Sequence, residues 1–176
     1  MACFTSLQLP AGNYLLNSTG KGVRHGTQIY GKDTVDEIQA NGFVKLEGTK
    51  VLDHLQVNGC LKAENAKIEE MQVNGQATLD HCFIKQKSVI CGALVATSSQ
   101  FDNELSVSSE RVIFNSCVLS SLRILRVGGY QGTQAVELRG KTKINSSIIF
   151  ESGNGEVIVD SDSEIIGTVI GGKIRK

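Results

Sequence analysis

Three hexapeptides, EIQANG (37–42), HLQVNG (54–59) and EMQVNG (70–75), restate one motif at a step of roughly 16–17 residues, a period that marks stacked repeat units. KSVICG (87–92), ELSVSS (104–109) and ILRVGG (124–129) continue it in degenerate form, and TKINS (142–146) and VIVDS (157–161) more loosely. The central aliphatic positions are Ala40, Val57, Val73, Ile90, Val107, Val127, Ile144 and Val159, with one longer step after Val127. A unit this short cannot bury an apolar face alone, so the repeats must stack and share one core.

The residues after each anchor set the secondary structure. Small or apolar side chains return in pairs two apart: Val44 and Leu46, then Thr49 and Val51; Leu61 and Ala63, then Ala66 and Ile68; Ala77 and Leu79, then Cys82 and Ile84; Leu94 and Ala96, then Ser99 and Phe101. The next unit slips by one, giving Val112 and Phe114, then Cys117 and Leu119. Spacing of two is the alternation of a strand with one face inward, and the jumps between pairs are corners. The intervening residues, such as Lys45, Lys62, Glu64 and Lys67, are polar. A helix would need apolar residues at three-and-four spacing, which is missing. These features predict an all-β fold, a single-stranded parallel β-helix with three short strands per turn. The six-residue period of left-handed β-helices fails within one turn from Val57, so right-handed winding is expected.

Asn41, Asn58 and Asn74 fall in one column and are followed by Gly42, Gly59, Gly75 and Gly92. Asn and Gly tolerate the backbone of a sharp turn, and stacked asparagines can bond along a ladder. This column is read as a structural corner and not a ligand site. Residues 1–35 precede the first clear motif and are expected to form an N-terminal cap segment, with the β-helix over 36–176. The closing EIIGTVIGGKIRK keeps strand character through Ile165, Ile166, Val169, Ile170 and Ile174, so a last rung with little capping material is expected there, either an edge open to end-to-end association or a short final strand shielded by Lys173, Arg175 and Lys176.

Composition agrees with many short strands. Of 176 residues 19 are glycine, Pro10 is the single proline, tryptophan is absent and aromatics make up 5%. Eighteen basic and eighteen acidic residues balance, which argues against a nucleic-acid surface. No run approaches the roughly 18 apolar residues of a membrane span, and the first residues lack a signal-peptide pattern. Five scattered cysteines without a CxxC pair suggest reduced thiols and a cytoplasmic location.

The chemistry-bearing residues are sparse. Asp53–His54 and Asp80–His81 invite a catalytic reading, but their offsets put them at different corners. Asp160, Asp162 and Glu164, with Glu156 nearby, alternate as a weak cation site would, without the nonapeptide of calcium-binding β-rolls. The clustered carboxylates of a glycoside-cleaving β-helix and the aromatic platforms for sugars are missing. No catalytic residue, cofactor or metal site is therefore expected. A basic cluster, Arg123, Arg126, Arg139, Lys141 and Lys143, covers two successive rungs. Outward apolar residues (Phe83 and Val118 on third strands, Val95 and Ile113 on second strands) mark either a candidate interface or a stripe covered by the N-terminal segment folding back. The break in the repeat between Val127 and Val136, near Tyr130, makes the longest corner and is the first place to look for a specific role.

The stretch EIQANGFVKLEGTKVLDHLQVNGCLKAENAKIEEMQVNGQATLD, the pattern over residues 37–129 and the closing GTVIGG resemble the bactofilins, polymer-forming bacterial cytoskeletal proteins. The resemblance implies a compact β-helix, nucleotide-free end-to-end assembly and no catalytic residue. A non-enzymatic structural or interaction scaffold is the leading reading, able to form a homo-oligomer through its ends or an apolar β-face. An adhesin-like or secreted protein- or glycan-binding module, and a degenerate carbohydrate-active β-helix, are the alternatives.

Overall fold

The computed structural model describes residues 22–176. The order of its elements is β1 (Arg24–Tyr30), β2 (Thr34–Val35), β3 (Ile38–Glu47), β4 (Lys50–Glu64), β5 (Lys67–Asp80), β6 (Phe83–Ile84), β7 (Ser88–Thr97), β8 (Gln100–Ser108) and β9 (Arg111–Asn115). There follow β10 (Val118–Ile124), β11 (Gln134–Arg139), β12 (Lys143–Ile144), β13 (Ile148–Phe150), β14 (Gly155–Val159), β15 (Glu164–Ile165), β16 (Val169–Ile170) and β17 (Gly172–Arg175). All pairings are parallel, each strand bonding to its counterpart one turn on, and no helix occurs among the described residues. The chain is a parallel β-solenoid of about nine turns.

Three inward columns fill the core. The first strands contribute Ala40, Val57, Val73, Ile90, Val107, Ile124 and Phe150. The second contribute Val44, Leu61, Ala77, Leu94, Val112, Val136, Val157 and Ile174. Val35, Val51, Ile68, Ile84, Phe101, Leu119, Ile144 and Ile165 make the third. Every paired inward position read from the first five units is buried, from Val44 to Leu119. Where the core widens, Phe101 and Phe114 meet edge to face with ring centroids 6.2 Å apart.

Three of the expected anchors lie elsewhere. Ile124, not Val127, continues the first column; Ile144 belongs to the third and Val159 to the second strand of its turn. ILRVGG imitates the Val-Asn-Gly motif, but its Val-Gly-Gly belongs to an insertion, residues 125–133, that leaves the solenoid between β10 and β11. Counting through that insertion displaces every later anchor. At the N-terminus, β1 pairs with β3 and β2 with β4, so rungs begin at Arg24, inside the expected cap segment. Residues 1–21 of that segment lie outside the described residues.

Two of the three corners in each turn differ in kind. Between first and second strands, Gly42, Gly59, Gly75 and Gly92 stack with φ of 136–141°, where L-residues are strained. A Cβ on Gly75 would sit 2.0 Å from the Gly59 carbonyl oxygen, and one on Gly92 1.9 Å from that of Gly75. Between second and third strands runs a left-handed column, Gly48, Asn65, His81, Ser98 and Ser116, with φ of 46–74°. There each amide donates to a carbonyl one turn on: Gly48 to Glu64, Asn65 to Asp80, His81 to Thr97, Ser98 to Asn115 and Ser116 to Arg139, at 2.8–3.1 Å. Beneath that corner the buried Ser99 and Thr142 hydroxyls donate to the Thr97 and Arg139 carbonyls at 2.8 and 2.7 Å. They also accept the Cys82 and Cys117 amides. These polar atoms in the core are thus hydrogen-bonded, as burial requires.

Candidate functional site

The asparagines form a continuous outer ladder. Asn58 Nδ2 donates to Asn41 Oδ1 and Asn74 Nδ2 to Asn58 Oδ1, both at 2.8 Å. The same column begins with His25 and continues into Cys91 and Ser108. With their amides spent on one another, the asparagines brace the glycine corner.

The histidines occupy separate columns. His54 Nδ1 lies 3.9 Å from Glu70 on the next turn, while His81 sits in the left-handed corner with Nδ1 2.8 Å from Asp80. The acidic stretch also disperses. Asp160 accepts the Gly140 amide at 2.6 Å and the Asp162 amide at 3.2 Å; hydrogen bonds, that of Ser163 foremost, hold its carboxyl below the usual range. Glu164, on β15, lies 3.7 Å from Lys143. No three His, Cys, Asp or Glu side chains are grouped to hold a metal ion among the described residues.

Cys82 and Cys117 are buried free thiols. Burial pushes Cys82 up to about 11 and raises Cys117, so both remain protonated and unreactive near neutrality. Cys91 is free and exposed. Cys60 is disulfide-bonded, in contrast to the expectation of reduced thiols throughout.

The outward apolar residues fall on two faces. Val95 and Ile113 are direct neighbours on the second-strand face. Phe83 and Val118 share a column on the third-strand face, but Gln100 separates them. They do not form one stripe.

Arg123, Arg126 and Tyr130 gather at the long corner. Arg123 donates through Nε and Nη2 to Glu104 at 3.3 and 3.1 Å, and its Nη1 lies 3.8 Å from Glu151. Lys87 reaches the other Glu104 oxygen at 3.0 Å. Hydrogen bonds from Arg123 first, then Lys87, hold the Glu104 carboxyl below its ordinary range. Arg126 donates to the Glu151 carbonyl, and Tyr130 donates its hydroxyl to the Thr133 carbonyl. Asn154, on the next turn, donates to Gly132 O and accepts from Thr133, so insertion and neighbouring turn are laced together. Arg123 is thus neutralised by carboxylates, whereas Arg126 is exposed and meets only a neutral carbonyl.

Two residues of this region escaped the sequence reading. Gln134 is buried and donates Nε2 to the carbonyls of Ser109 and Leu125, both at 2.9 Å, closing the gap where the insertion leaves. Glu137, 7% exposed, is held between Arg111 and Arg139. Glu137 and Arg139 are neighbours on one side of β11, and the register of β9 with β11 brings Arg111 to them.

The first and last described rungs are unlike each other. In the first described rung, Arg24 stands in register with Ala40 and Gln28 with Val44, so polar residues take positions that are aliphatic in the next turn. Burial raises the Tyr30 pKa against the opposing charge of Arg24, and Gln28 Nε2 donates to the His25 carbonyl at 3.3 Å. In the last rung the inward residues are Ile165, Val169 and Ile174, and no described strand pairs with the outer edges of β15, β16 and β17. Ile166, Ile170 and Ile174 are 55%, 52% and 51% exposed. No helix among the described residues is long and apolar enough to cross a membrane. No family model, curated protein or solved structure matches the chain.

Proposed function

We propose that this protein is a non-enzymatic scaffold of the bactofilin kind that associates with itself through the end of its solenoid. The observation that carries the reading is the last rung, where three exposed isoleucines border strand edges that no described strand covers. An uncovered rung presents unpaired amides and carbonyls together with an apolar core, a template for further β pairing. Elsewhere Glu104 and Glu137 are engaged in ion pairs, the asparagines in their ladder, and the Cys82 and Cys117 thiols in the core. Light scattering coupled to size-exclusion chromatography over a wide concentration range tests the reading. Mass rising with concentration is expected, and Ile170→Asp should abolish the rise while leaving circular dichroism unchanged. A species that stays monomeric at every concentration would refute self-association.

A further inference from the structure

We propose that the Asn74–Gly75 pair is a modification site, where the Asn74 carboxamide deamidates through a succinimide, and that the asparagine ladder protects Asn58 from the same reaction. The site lies on the middle turns of the solenoid and does not depend on how copies associate.

Three Asn-Gly pairs, Asn41–Gly42, Asn58–Gly59 and Asn74–Gly75, stand in register one above another. In each the glycine amide nitrogen, unhindered by a β-carbon, is the nucleophile nearest the preceding carboxamide. Gly75 N forms a bond to Asn74 Cγ as its own proton passes to water, and the Cγ–Nδ2 bond breaks with release of ammonia. Water then opens the five-membered imide at either carbonyl, leaving aspartate or isoaspartate at position 74. No electrons are transferred, and water is the only co-reactant.

The ladder sets which pair reacts. A side chain must swing out of the column before its Cγ can meet the next amide. Asn58 is tied twice, donating to Asn41 Oδ1 and accepting from Asn74 Nδ2, both at 2.8 Å. Asn41 and Asn74 each hold only one of those two bonds. Below Asn74 the column passes to Cys91, which brings a thiol where an amide would continue the ladder. Exposure separates the two ends: Asn74 and Gly75 are both exposed, whereas Asn41 and Gly42 are half-buried. Asn74 therefore reacts first and Asn58 last, the second ladder bond on Asn58 being worth roughly fivefold in rate.

The two products break different things. Aspartate keeps the chain length but loses the Nδ2 donation to Asn58. Isoaspartate threads Cβ into the main chain at a corner with no room for it. Would-be β-carbons on Gly75 and Gly92 already fall 2.0 and 1.9 Å from the carbonyl oxygens of Gly59 and Gly75. The isoaspartyl form is thus the less stable of the two.

Incubation of the folded protein at mildly alkaline pH, followed by peptide mass mapping and isoaspartyl methyltransferase labelling, tests this. Deamidation at Asn74 should outpace that at Asn58 about fivefold or more, with Asn41 between them. In urea the three pairs should react nearly alike, since the ladder is gone. Asn58→Ala removes one partner from each neighbour and should quicken Asn41 and Asn74 together. Asn74→Gln should abolish reaction at position 74, because closure to a six-membered imide is far slower. Equal rates at the three pairs in the folded protein, or no reaction at Asn74 while the unfolded chain reacts, overturns the site. Unchanged rates at Asn41 and Asn74 in Asn58→Ala overturn the protective role of the ladder. The wild-type order decides the first point whether or not that variant folds.

Discussion

A β-carbon decides the first corner, and a φ angle near +50° decides the second. At Gly75 both the backbone, with φ of 139°, and the space, with the Gly59 carbonyl 2.0 Å from a would-be Cβ, exclude any side chain. Gly75→Ala must move a carbonyl that lies within the ladder, and the cost expected is roughly 2–5 kcal/mol by chemical denaturation. The left-handed column makes the opposite demand. Ser98, at φ of 46°, occupies a region open to L-residues at modest cost. Ser98→Gly is therefore expected to lie within about 1 kcal/mol of wild type, with stabilising sign. Equal losses at the two positions would mean that the corners are not distinct. The difference also explains what could be read in advance. A corner that accepts only glycine writes itself into the chain as Asn-Gly three times over. A corner satisfied by Gly, Asn, His or Ser leaves no recognisable letter, and that column, Gly48 to Ser116, was not legible as a column.

At the level of elements, strands up to β9 could be placed from spacing alone, because unit length there changes by only a residue. The register from β10 onward could not, since an insertion that resembles the motif, Val127-Gly128-Gly129, displaces the count. The bonds that close the insertion come from residues distant in sequence, and Gln134 is the key one. Gln134→Leu keeps the volume but strands the carbonyls of Ser109 and Leu125; a loss of roughly 2 kcal/mol or more is expected in denaturant unfolding. An unchanged midpoint would show that other groups close the gap. Glu104 links three turns through Lys87 and Arg123, and its folded pKa is lowered. Its stabilising effect is thus fully present above the unfolded carboxylate pKa and is lost as pH falls through the lower folded value. Glu104→Gln should flatten part of the acid limb of a stability–pH curve and leave the neutral-to-alkaline limb parallel to wild type.

For the whole molecule, nearest-neighbour stacking makes stability local. A rung touches only the rungs on either side, so a defect should propagate by one or two turns and then fade. The lengths of the paired segments grade the solenoid from one end to the other. β4 and β5 pair from Lys50–Lys67 to Glu64–Asp80 with one shift, whereas β13 and β16 pair only at Ile148–Val169 and Ile149–Ile170. Amide exchange should therefore be slowest in β4, β5 and β7 and fastest in β15 to β17. Gly75→Ala should accelerate exchange in β4, β5 and β7 and leave β11 to β14 at wild-type rates, because the closed corner at residues 125–133 lies between them. A single cooperative unit would respond differently, with every slow amide quickening by the same factor whatever its distance from Gly75. Raising the protein concentration supplies the complementary perturbation. If the last rung is where copies meet, protection should grow in β15 to β17, since those edges gain a neighbour.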